Sequence, residues 1–240
     1  MMETYYAGAY WGRRPESAEA CARRAETFFG LLAACHPDYA HWFEQGSSTK
    51  RARQLPFAPT ADTFQRFFGR TRYQSGKDGF HFGAWTGHLN NQGGMVQLAC
   101  GSRAEASPNG ALLHFPSEPP GWTQLVSLPV VTGVLRAMAL AWEPDWAVAL
   151  SDDLRARFSR QNEVDTCVGW LTYLSCRWDE LPALPESVRV EPVDDQGSIL
   201  VLASERLSIS NPEHLALGHH VQHVLEAHGL LGPLVARAPR

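Results

Sequence analysis

The run from Trp122 to Trp142 constrains this chain more than any other segment. It is the longest apolar stretch, yet Pro129 interrupts it and Arg136 lies in its C-terminal third. A membrane span tolerates neither feature well, so the run reads as a buried helix. Val130, Val134, Leu135, Met138 and Trp142 fall at helical spacing, and Pro144-Asp145 stops the helix before Trp146 to Leu150 resumes as a strand.

Other segments supply the layers such a helix needs. Thr4 to Gly12 alternates loosely and reads as a first strand. After Pro15 and Ser17, the series Ala18, Cys21, Ala22, Ala25, Phe28, Phe29, Leu32 predicts a helix with one buried face, ended at His36-Pro37. Glu19 and Arg23 form an i,i+4 pair on its outer face, and Trp42-Phe43 is expected in a short turn capping the same core. Phe80 to Trp85, Met95 to Ala99 and Ala111 to Phe115 read as adjacent antiparallel strands. Thr166 to Leu174 reads as another strand, and Val188 to Val193 with Ile199 to Ala203 as a hairpin across Asp194-Asp195-Gln196-Gly197. A last helix has Asn211 as N-cap, Pro212 at its first position and Gly229 as its stop, with Leu217, Val221, Val224 and Leu225 as the expected core face. Strands grouped between helices predict an α+β fold, a mostly antiparallel sheet flanked by helices, with an N-terminal strand-helix unit and a C-terminal helix.

With 240 residues and 44% hydrophobic content the chain can bury a core, and one domain over residues 1–240 is the expectation, two the alternative. Five cysteines (Cys21, Cys35, Cys100, Cys167, Cys176), odd in number and widely spaced, read as reduced and buried. The first eleven residues lack a basic region followed by an apolar run, so a cytoplasmic protein is expected.

Net charge is −4, with 19 Arg against two Lys, so the molecule as a whole is not suited to coating nucleic acid. Residues 46–79 carry a local excess of +5, read as a solvated face in preference to a nucleic-acid patch because no aromatic ladder interleaves the arginines. Residues 143–195 hold twelve acids against five arginines, either solvated surface or a face for a basic partner.

Catalytic signatures fail on inspection. His219 and His223 stand four apart, but His220 occupies the place where a zinc protease carries its general-base Glu. Gly69 and Gly76 are wrongly spaced for a phosphate loop, no Gly-x-Ser-x-Gly occurs, and Ser48 and Ser75 stand where a metal nuclease places an acid two residues before its lysine. No catalytic residue, metal ligand or cofactor is assigned. The rival is a hydrolase assembled from separated residues, centred on His81, His88 and His114.

Five motif groups occur in order along nearly the whole chain: Tyr10-Trp11-Gly12-x-Arg14 with Glu16-Ser17; Trp42-Phe43-x-x-Gly46; Trp142-x-Pro144-Asp145; Gly169-Trp170-Leu171-x-Tyr173-Leu174; and Asn211-Pro212-Glu213-His214 before Gly229-Leu230-Leu231. Together they resemble the immunity protein 52 family of bacterial polymorphic toxin systems. That resemblance implies a non-enzymatic antidote of bacterial competition, including type VI secretion, which binds a cognate toxin carrying a restriction-endonuclease-like nuclease domain. No membrane and no direct nucleic-acid contact are expected. It assigns no interface. Charge counting alone nominates Asp152, Asp153, Glu163, Asp165, Asp179, Glu180, Asp194 and Asp195 as toxin-facing, because a nuclease presents basic groups to phosphates. Trp11, Trp42, Trp85, Trp142 and Trp170 are expected to anchor the core, and Trp122, after a double proline, to be the exposed aromatic contact. Occlusion of the nuclease site and binding elsewhere stay equally open.

Overall fold

The computed structural model describes residues 3–76, 79–104, 108–159 and 166–234. Ten strands form one antiparallel sheet: β1 (Tyr5–Trp11), β2 (Trp42–Glu44), β3 (Pro56–Phe57), β4 (Phe80–Trp85), β5 (Met95–Cys100), β6 (Asn109–His114), β7 (Trp146–Ser151), β8 (Leu171–Leu174), β9 (Arg189–Val193) and β10 (Gly197–Val201). Their order across the sheet is β3-β2-β4-β5-β6-β1-β7-β8-β10-β9, so the first strand lies in the middle. The helices are α1 (Ala18–Cys35), α2 (Thr49–Ala52), α3 (Ala61–Phe68), α4 (Gly121–Leu125), α5 (Leu128–Trp142), α6 (Asp152–Phe158) and α7 (Pro212–Ala227).

The apolar run becomes α5, whose Val131, Val134, Leu135, Met138 and Trp142 are all buried. It lies beside α1 against one face of the sheet. Trp142 stacks on Trp11 of β1 with ring centroids 5.3 Å apart and meets Phe28 of α1 edge-on. Under α3 the same face carries a phenylalanine cluster, Phe64, Phe67 and Phe82 with Phe57. Offset and edge-on ring pairs of this kind add about 0.5–1.5 kcal/mol each beyond their burial.

The start of α1 and the end of α5 are tied together by the residues of two motif groups. The Gly12 amide donates to Asp145 Oδ2 at 2.8 Å and the Asp145 amide to the Tyr10 carbonyl at 3.0 Å. Arg14 Nη2 donates to the Trp142 carbonyl at 2.7 Å, and Arg24 Nη1 to that of Ala141 at 2.9 Å. Glu16 holds both guanidiniums, and Glu143 turns the chain in a left-handed conformation, φ 46°. The last carbonyls of α5, which no helical amide can reach, are thus satisfied by arginines.

The described helices cover the other face over only half its width. There α6 sets Arg155 on Tyr6, and α7 packs behind with Gly218 against the Phe158 ring. Over β4, β5 and β6 the outward residues His81, Gly83, Trp85, Met95, Gln97, Ala99, Leu112 and His114 are half-buried or exposed.

Several expectations need correction. Trp42 and Phe43 lie in a strand that pairs with β3 and β4, where a turn was expected. Residues 166–169 precede β8 as a loop, so that strand is shorter than the apolar run. On α7 the buried face is His214, Gly218, Val221 and Leu225, with Leu217 and Val224 only half-buried. The cysteines are all free thiols, but only Cys21, Cys100 and Cys167 are buried. None of the described helices is long and apolar enough to cross a membrane.

Candidate functional site

The nominated acids do not share one face. Asp152 and Asp153 form the first turn of α6, behind Ser151, whose Oγ accepts the Leu154 amide at 3.2 Å. Carboxylates there complement the helix dipole, so part of their role is local. Asp194 and Asp195 occupy the β9–β10 turn, with Asp194 at φ 43°. Asp179 and Glu180 lie in a single 3-10 turn, Trp178–Glu180. These last four share one end of the sheet: Tyr173 Oη donates to the Gln196 carbonyl at 3.0 Å and Ser198 Oγ to that of Cys176 at 3.1 Å. Asp152 follows the opposite end of β7, roughly 17 Å away by strand rise. Glu163 and Asp165 lie outside the described residues.

Within the lower group, Asp179 is gripped through both carboxylate oxygens by Arg177, at 3.1 and 3.2 Å. Glu180 accepts the Arg177 amide. Among the described residues, neither Asp194 nor Asp195 has such a partner. Between Arg177 and Asp179 stands Trp178, 62% exposed. An exposed indole ringed by charge is the kind of anchor that dominates protein interfaces.

Trp122, nominated instead, is half-buried. Its indole nitrogen donates to the Glu3 carbonyl at 3.1 Å, and the Arg206 guanidinium lies 4.0 Å from its ring. Trp178 had a legible signal that was passed over: Arg177-Trp178-Asp179-Glu180 gives its indole charged neighbours on both sides, whereas the core tryptophans sit in apolar runs. Of those expected in the core, Trp11, Trp42, Trp142 and Trp170 are buried and Trp85 is half-buried.

The histidines of the alternative stand apart among the described residues. His81 pairs with Ala99 and His114 with Met95, four residues apart along β5. His88 lies beyond β4, its Nε2 3.9 Å from Asp38 Oδ2. Burial depresses the His114 pKa against the opposing pull of Asp152. His219 and His223 are exposed on α7, and among the described residues no group of three His, Cys, Asp or Glu side chains could hold a metal ion.

The basic segment divides as well. Arg70 and Arg72 turn inward to the buried carboxylate of Glu44, which also accepts from Tyr73. Burial, then Glu44, pushes the Tyr73 phenol up to about 12. Lys50, Arg51 and Arg53 remain exposed beside a cleft of about 430 Å³ between α2 and the β4–β5 loop, lined by Gln45, Trp85, Leu89, Asn91 and Met95 among others.

Comparison with known proteins adds two findings. The family model described as Immunity protein 52 matches residues 3–234. The structure of a Pseudomonas aeruginosa T6SS protein, PA0821, has a TM-score of 0.57 at 11% identity, over 93% of this chain and 75% of that one. At that identity the likeness is one of fold. No curated protein matches the chain.

Proposed function

This chain belongs to the immunity protein 52 family, and we propose that it binds and neutralises a nuclease-type toxin in the cytoplasm of the cell that makes it. The match over residues 3–234 carries the immunity role. The secretion-system name of the structural relative supports a type VI setting. The whole of residues 1–240 acts as one binding domain, with no cofactor and no turnover of its own. The nuclease class of the toxin comes from the family resemblance, and charge is compatible with it: a domain that grips phosphates is basic, and the sheet end carrying Trp178, Asp179, Glu180, Asp194 and Asp195 offers it an anchor among carboxylates. Opposite charge steers association, while the indole, once covered by the partner, slows dissociation.

The test is calorimetry with the toxin domain encoded beside this chain, paired with a DNA-degradation assay. A tight stoichiometric complex that stops degradation is expected; no complex with a folded toxin, or a complex that leaves degradation running, overturns the reading. Trp178→Ala should weaken binding at least tenfold, about 1.4 kcal/mol. Reversing Asp179, Glu180, Asp194 and Asp195 together should slow association and flatten its salt dependence, as stopped-flow mixing would show.

A further inference from the structure

The uncovered half of the second sheet face is built in a way that neither folding nor the acidic end explains. Strand register sets Phe43 beside Trp85, Trp85 beside Met95, Met95 beside His114 and His114 beside Tyr6, a single row of rings and a thioether across five strands. Phe43 and Trp85 are in ring contact at 6.1 Å, as are Tyr6 and His114. The next row is Gly83, Gln97, Leu112 and Gly8, and two of its members are glycines. The Gln45 amide lies over Gly83 and the Tyr10 ring over Gly8, so these side chains lie flat and the floor stays low.

Charge on this floor is one-sided. Among its described residues there is no carboxylate, in a chain of net charge −4. At one end Arg155 donates to Tyr6 Oη at 2.6 Å, and no described carboxylate pairs with it. An arginine satisfied by phenols keeps its full charge while retaining donors for a further acceptor. At the other end, across the cleft, stand the exposed Lys50, Arg51 and Arg53, with Leu89 44% exposed on the β4–β5 loop. Asp152 beside His114 and Asp38 beside His88 mark the margins.

We propose that this trough is a second docking surface for the toxin, and that it takes an acidic segment with an apolar side chain. The apolar group would lie on Trp85, Met95 and Leu112, with carboxylates reaching Arg155 at one end and α2 at the other. The inference rests on the immunity reading and deepens it: two patches of opposite sign fix the orientation of one partner, which a single patch cannot do.

The experiment uses the full chain and the same toxin domain. Gln97→Glu and Leu112→Asp place negative charge on the floor at exposed or half-buried positions. Each is checked for an unchanged melting temperature before binding is measured. A loss of at least tenfold in affinity is expected for either, with Gln97→Arg retaining or improving binding. Lys50→Glu, far from any buried contact, should lower the association rate several-fold. If Gln97→Glu, Leu112→Asp and Lys50→Glu all bind as the wild type does, while reversal of the Trp178 end weakens the complex, the trough is not an interface and the immunity reading stands. If the wild-type chain forms no complex with the toxin, both fall together.

Discussion

Single side chains decide where this fold is held. Arg14 joins the first strand to the end of α5 through the Trp142 carbonyl and also lies 4.9 Å over the Trp11 ring. Arg14→Ala leaves that carbonyl without its charged donor, and urea denaturation should show a loss of about 1.5–3 kcal/mol. The sequence showed the Glu19–Arg23 pair because it is local, and the Ser17 cap, whose Oγ accepts the Ala20 amide, is local as well. Arg14 gave no such signal, since its partner is 128 residues away. Titration belongs to this scale too. Burial, the leading cause in each, raises the pKa of Tyr5, Tyr6, Tyr39 and Tyr73, so the folded state holds phenol protons that the unfolded chain gives up near pH 10. Above that pH the unfolded state binds fewer protons, and stability falls as pH rises. Melting temperatures should therefore decline between pH 10 and about 12; a flat profile would contradict the buried phenols. Cys35, pushed up to about 11 by burial, should alkylate at pH 8 roughly a hundredfold more slowly than the same thiol in urea.

At the scale of elements, length governed legibility. The long periodic helices α1, α5 and α7 and the strands β4 to β7 could be read, whereas β2 and β3, of three and two residues, and α6, of seven, are too short to show a period. The face of α7 was misjudged for a different reason. His214 is buried because its Nδ1 accepts the Ser208 amide at 3.2 Å and its Nε2 meets Glu205, and Gly218 because the Phe158 ring lies over it. A hydropathy count ranks Leu217 and Val224 above both. A Cβ on residue 218 would stand 2.4 Å from Phe158, so Gly218→Ala should cost about 1–3 kcal/mol by denaturation. The sheet's two edge strands are blunted, β3 by Pro56 and β9 by Pro192 with Arg189 and Glu191. Replacing Glu191 and Pro192 together with Val should produce concentration-dependent association in sedimentation.

For the molecule as a whole, the acidic excess of residues 143–195 was legible as a total and not as a place. Chain folding sends Asp152 and Asp153 to one end of the sheet and Asp179, Glu180, Asp194 and Asp195 to the other, a division no charge count contains. The trough was equally hidden, because its row is assembled from β2, β4, β5, β6 and β1, and only register brings Phe43, Trp85, Met95, His114 and Tyr6 into line. What the motif series did mark was the clamp between α1 and α5. Trp11, Gly12, Arg14, Glu16, Trp142 and Asp145 are joined to one another there. None of them lies on the trough or at the Trp178 turn. The clamp residues that make this chain recognisable and the residues that would meet a toxin are therefore different sets, although Tyr10 and Phe43 of the motif series do reach the trough. A lineage in conflict with changing toxins could rewrite the second set, substitution by substitution, without touching the first.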